Sequence, residues 1–276
     1  GQWQAKVTGK NIALNSLVKF IGPSVNEKQM EMLSQWNINA VMDVDAELNG
    51  HQTRLASAKV SGKLREVMFA DPTGSYAGEA LAAQIQLELQ IENDRWSWQQ
   101  TLTIDKGQTY FEPIFLDLDQ QSVKLSSEGQ FNYANKTWQI NDVEFAQSTS
   151  ILANGQLNGE ATQLTHLQMD LSSTDVAQLY KDWLQPFIPG SSLSHLQTSG
   201  ELTASLQWQA EHYQIQMNLQ SVTIVDDAGR FAIDNLEGKL GWTNQATVIP
   251  IDLRWSSASI LSLPLGGSTL QAEASQ

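Results

Sequence analysis

The feature that most constrains this chain is a strict alternation of apolar and polar residues, repeated along most of its length. Ala83, Ile85, Leu87, Leu89 and Ile91 interleave with Gln84, Gln86, Glu88 and Gln90. Leu202, Ala204, Leu206 and Trp208 alternate with Thr203, Ser205 and Gln207, and Tyr213, Ile215, Met217 and Leu219 with Gln214, Gln216 and Asn218. Shorter stretches around Leu167-Met169-Leu171 and Ile251-Leu253-Trp255 do the same. A period of two puts every apolar side chain on one face of a β-strand and every polar one on the other. Continuous apolar runs, the mark of a parallel sheet covered on both faces, are missing. The expected class is mainly β and antiparallel.

Short turn signals separate these runs. Glu92-Asn93-Asp94, Asp105-Lys106-Gly107, Ala134-Asn135-Lys136, Gln209-Ala210-Glu211-His212 and Asp226-Asp227-Ala228-Gly229 each join two strand-like segments. Connections this short link only neighbouring antiparallel strands, so the predicted topology is a meander. A Gly-polar-apolar step recurs at Gly62, Gly129, Gly155, Gly200 and Gly238. Glycine at the head of a strand permits a bulge or sharp bend, which would curve the sheet.

Two segments read as helix. From Ser173 to about Gln185, Val176, Leu179, Tyr180, Trp183 and Leu184 form one apolar stripe, with Ser172, Ser173 or Thr174 as cap and Pro186 as stop. The other follows Ser24, with Glu27 completing a capping box and Met30 and Leu33 facing inward. Leu17-Phe20-Ile21-Gly22-Pro23-Ser24 echoes Leu184-Phe187-Ile188-Pro189-Gly190-Ser191. The echo suggests two related units: 1–172, with an N-terminal short helix, and 173–276, opening with a short amphipathic helix.

The composition narrows the function by exclusion. A net charge of −14 is the wrong sign for binding nucleic acid or docking on anionic headgroups. The absence of cysteine removes disulfides and thiolate chemistry, and fits a cytosolic or a periplasmic protein. His51, His166, His195 and His212 lie in no metal-ligand spacing, and no nucleophile elbow, phosphate loop or dinucleotide fingerprint appears. Asp43/Asp45 and Asp117/Asp119 each share a strand face, as calcium ligands or a glycosidase pair would, but read better as the solvated side of amphipathic strands. No catalytic residue, metal or cofactor is expected. No apolar run approaches the roughly 18 residues of a membrane helix. The chain opens Gly1-Gln2-Trp3 without Met and reads as cut from a longer protein.

Leu167-Gln-Met-Asp-Leu171, then Ser-Ser-Thr-Asp-Val-Ala-Gln-Leu-Tyr180, then Ser199-Gly-Glu-Leu202 resembles the AsmA-like family of Gram-negative bacteria (AsmA, TamB, YhdP and YdbH type). Leu236-Glu-Gly-Lys-Leu-Gly-Trp242 and Leu263-Pro-Leu-Gly-Gly-Ser268 are similar to its YdbH-type branch. The likeness covers chiefly residues 123 to 270. It implies a long, curved, taco-like sheet with an apolar inner groove. It further implies a periplasmic location, with the full-length protein anchored in the inner membrane, and carriage of phospholipid toward the outer membrane. Partners would be phospholipid or another acyl-chain ligand, and envelope proteins met through the rest of the full-length chain. The family brings no catalytic residues.

A sheet with one apolar face must cover it with helices, a second sheet or a ligand. If the face is left for lipid, the lining residues are the in-phase apolar ones: Leu87, Leu89, Trp96, Leu116, Leu206, Trp208, Ile215 and Met217. The alternative is a structural or carbohydrate-binding β-sandwich, its nine tryptophans serving as core or sugar platforms.

Overall fold

The computed structural model describes residues 1–14, 35–245 and 249–274. Its strands are β1 (Gln2–Ala13), β2 (Asn39–His51), β3 (Arg54–Ala70), β4 (Tyr76–Glu92), β5 (Arg95–Phe111), β6 (Ile114–Asp117), β7 (Val123–Asn132) and β8 (Thr137–Gln147). They continue as β9 (Ile151–Glu160), β10 (Gln163–Ser173), β11 (Leu196–Gln209), β12 (His212–Asp226), β13 (Phe231–Thr243), β14 (Ile249–Ile260) and β15 (Leu263–Ala274). The strands make one 15-stranded antiparallel meander that does not close; each pairs with its neighbour in sequence, except that β6 lies off the path on β5. The turns around Asn93, Asn135, Ala210 and Asp227 are present as expected, because so few residues can only reverse the chain. Asp105-Lys106-Gly107 is not a turn: β5 runs straight through it, with Gly107 at φ 99°.

The chain divides into two compact units, Gly1–Asn141 and Asp142–Gln276, with the division inside β8. The junction expected at 172/173 marks instead the start of the helical segment between β10 and β11. The helix expected after Ser24, and the Leu17–Ser24 phrase, lie outside the described residues.

One line of irregularities crosses neighbouring strands in each unit. In the first, Asn11, Glu66, Ala80 and Gly107 all have positive φ, and in the second so do Gly200, Ser221 and Asn235. A Cβ on Gly107 would lie 2.7 Å from the Ala80 carbonyl oxygen, and one on Gly200 2.6 Å from that of Ser221, so adjacent bulges sit side by side. Bulged strands bend and twist more strongly at that point. The sequence signal was partly misread: Gly62, Gly129 and Gly155 lie within strands at ordinary φ. There they make room for cross-strand side chains, such as Trp98 over Gly129 and Met169 over Gly155.

The predicted helix over Ser173–Gln185 is present in altered form. α1 (Val176–Leu179) is capped by the Asp175 carboxylate, which accepts from the Gln178 N–H at 3.1 Å. Ser173 instead braces Asp175, accepting from its N–H and donating to its carbonyl. The segment then widens into a π turn over Tyr180–Leu184 and tightens to a 3-10 turn over Gln185–Phe187. The wider turn rotates Leu184 off the apolar stripe and leaves it 52% exposed. Trp183 stays inside, edge-on to Phe145 at 5.4 Å, and donates to Gln147 at 2.6 Å.

Asp226, read as turn chemistry, is 1% exposed. Its carboxylate takes the Arg230 guanidinium in a two-point grip, while the same guanidinium donates to the Ser192 carbonyl at 2.7 Å. The β12–β13 hairpin is thereby tied to the loop after α1. The Arg230 side-chain hydrogen bond is the main reason the Asp226 carboxyl falls from an ordinary 3.8 to about 2. A depressed carboxylate stabilises the fold above its unfolded value and loses that contribution as pH drops through its folded one. Acid unfolding of the wild type should therefore gain a component between about pH 4 and 2. Urea melts of Asp226→Asn across that range should show the component missing. In the first unit, Gly129→Ala should destabilise by about 1–3 kcal/mol in urea denaturation, since the new methyl meets the Trp98 ring and lies 2.6 Å from the Gln139 carbonyl oxygen.

Candidate functional site

The alternating residues fall into cross-strand rows. In the first unit Leu87 lies between Val60 of β3 and Gln100 of β5, and Leu89 between Ala58 and Trp98. Ile85 faces Gly62 and Leu102, Leu102 faces Leu125 of β7, and Trp96 faces Ile91 and Phe131. Ala46 and Leu48 of β2 extend the same face beyond β3. In the second unit Leu206 lies between Met169 and Ile215, and Trp208 between Leu167 and Tyr213. Met217 lies between Ala204 and Leu240, and Ile215 faces Trp242.

Seven of the eight residues expected to line an apolar groove have partly exposed side chains. Leu87, Leu89, Leu206, Trp208, Ile215 and Met217 are half-buried, and Trp96 is 43% exposed. Leu116 is the exception. It is 4% exposed on the short β6, opposite Thr109, beyond the bulge line where Leu81 and Leu118 are also buried. There it is core.

The helical segment packs over this face in the second unit. Val176 closes a small core with Val222 and Leu236, ringed by Leu202, Leu219, Leu253 and Trp255. Among the described residues the buried Trp255 indole N–H has no acceptor, at a cost of about 1–3 kcal/mol. Away from that core the face is wet: a Leu fully withdrawn from water is worth roughly 1.5–3 kcal/mol, and these leucines realise only part of it.

The opposite face is polar, and part of it is satisfied by its own pairs. Lys6 pairs with Glu47 at 3.1 Å, Lys59 with Glu88 at 2.6 Å and Arg254 with Glu237 at 2.5 Å. Asp43 accepts from the backbone N–H of the bulged Asn11 at 2.7 Å and from Arg65 at 2.9 Å, and these bonds hold its carboxyl below the usual range. Asp45 takes the Thr8 hydroxyl at 2.8 Å. The Asp117 and Asp119 carboxylates accept the backbone N–H groups of Asp119 and Gly107. The paired carboxylates thus brace strands. Among the described residues no group of three or more His, Asp or Glu could hold a metal, and no helix is long and apolar enough to cross a membrane.

No family model, curated protein or solved structure matches this chain.

Sequence reasoning missed the bulges at Glu66, Ala80 and Ser221, whose residue types carry no preference for positive φ; only the asparagines at 11 and 235 offered a hint. The difference between open face and core is measurable. Leu118→Ala should cost about 2–5 kcal/mol, and Leu87→Ala clearly less, in equilibrium denaturation. The native protein should also enhance the fluorescence of a hydrophobic dye such as anilinonaphthalene sulfonate, which closed native cores do not bind.

Proposed function

We propose that this chain is a non-catalytic lipid-binding segment that holds phospholipid acyl chains against the apolar face of its sheet and passes them along it. One observation carries the reading: the in-phase apolar residues of both units stay half-exposed, where a folded domain ordinarily buries them. Burying an acyl chain returns about 0.8 kcal/mol per methylene, so ten methylenes half-covered by such a face gain on the order of 4 kcal/mol without a polar contact. Gaps between discrete sites would be small, as movement requires. The likeness to AsmA-like sequences agrees with this use and with a periplasmic place between two membranes, but the geometry is what supports it.

Gentle purification followed by native mass spectrometry should find co-purifying phospholipid. A photoreactive phospholipid should label the strands carrying Leu87, Leu206 and Met217. Leu87→Asp with Met217→Asp should abolish both signals while leaving the circular dichroism of the sheet intact. Lipid-free protein that also escapes labelling would overturn the reading.

A further inference from the structure

Cross-strand pairing on the polar faces is uneven. Several side chains of the first unit pair through Lys6–Glu47, Lys59–Glu88, Thr8–Asp45 and Asn49–Ser57, and Glu237 pairs with Arg254 in the second. Between β9 and β13 the rows are mostly uncharged and make no such pairs. Gln156, Gln168, Gln207 and Gln214 stand opposite one another in one row. The next row holds Asn154, Asp170, Ser205 and Gln216, and the one after it Thr203, Asn218 and Lys239. No side-chain hydrogen bond links the residues of these rows among the described residues, although neighbouring strands bring such groups within reach of one another.

The face is also concave there. The last two rows line a depression of about 480 Å³, a volume in the range of small-ligand sites. Leu152, 44% exposed, together with Ile249 and Pro250, adds an apolar border. Leu171, Ala204, Met217 and Leu240, which are in phase with Leu206 and Ile215, complete its lining.

We propose that this depression binds a neutral polyhydroxylated ligand, of the saccharide class. Carboxamides and hydroxyls each carry donor and acceptor capacity, the complement of adjacent sugar hydroxyls. One lysine and one aspartate leave the site near neutrality, so it lacks the cationic cluster that phosphate or an acidic chain requires. The aliphatic border suits the C–H face of a pyranose ring. Side chains that leave their hydrogen-bonding capacity unused in a concave site present it to a ligand at no cost in broken internal bonds.

The test is an array of neutral and acidic oligosaccharides probed with the fluorescently labelled full chain, with any hit titrated by calorimetry. The expected result is retention on at least one neutral glycan, little changed by added salt. Gln216→Ala and Asn218→Ala should each weaken it about three- to tenfold, whereas Leu87→Asp, in the other unit, should not. These side chains are solvated, so both variants should keep the wild-type circular dichroism and urea midpoint. Retention on no neutral glycan, retention only on acidic ones, or binding indifferent to both substitutions would overturn the proposal. Leu87 lies outside the lining and in the other unit, so Leu87→Asp is the control that separates loss of lipid binding from loss of glycan binding.

Discussion

Slipping any strand by one residue against its neighbour would carry its apolar side chains to the other face, so cross-strand register is the constraint on which this structure rests. The bulges are a direct threat to it, since each adds a residue. In three ladders a shift is reversed within a few residues. Between β3 and β4 the register shifts from Leu64 to Val67 and is restored by Phe69. Between β4 and β5 it shifts at Ala82 and returns, and between β12 and β13 it shifts at Val222 and returns by Ile224. There a bulge in one strand is answered by a bulge in the next, whereas the β1–β2, β9–β10 and β11–β12 ladders keep a one-residue shift after theirs. The backbone conformation needed at Ala80 or Ser221 costs roughly 1–3 kcal/mol per residue, and the preserved face offsets it.

What the bends separate is core from surface. Beyond them Leu81, Leu116 and Leu118 in one unit and Val222 and Leu236 in the other are withdrawn from water. Before them the same alternating pattern leaves Leu87, Ile215 and Met217 half-covered. In the second unit the helical segment supplies part of the cover. It is itself too short to be stable alone, and is held from several directions: Asp182 by Gln147 and Gln178, Tyr180 by its hydroxyl on the Leu193 carbonyl at 2.6 Å, and its loop by Arg230. Stability is concentrated in these pinned ends, which frees the middle of the sheet from having to form a closed core.

Strand existence, the meander and the membership of the apolar rows were legible in the sequence, because side-chain alternation and turn length act locally. Leu87, Leu89, Leu206 and Trp208 could be placed on one face before any strand partner was known. The status of Leu116 could not, since its burial depends on a bend made by residues distant in the chain. Tyr180 to Leu184 misled for a related reason: an apolar stripe at helical spacing does not reveal that the helix will widen to reach Gln147. Asp226 and Arg230 are four residues apart across a turn, a spacing that hints at a pair, but the Ser192 carbonyl that completes the clamp is visible only in three dimensions. The amide-rich rows were present as the polar half of the alternation. Their lack of mutual bonding was not, because pairing depends on which residues register brings opposite one another.

The meander order also bears on how such a chain is built. Every ladder joins strands that are consecutive in sequence, apart from the small β6 detour, so outside the connections 14–38 and 174–195 the hairpins close over short loops with little entropic penalty. No strand has to be threaded between others already in place, and no final closure completes the sheet. Structure can therefore accrete hairpin by hairpin as the polypeptide emerges. A duplication or loss of one hairpin would change the width of the sheet by about 10 Å, at roughly 4.8 Å per strand, and leave the remaining pairings untouched. The dimension along which a bound chain would travel is thus a modular quantity, set by how many hairpins a gene encodes.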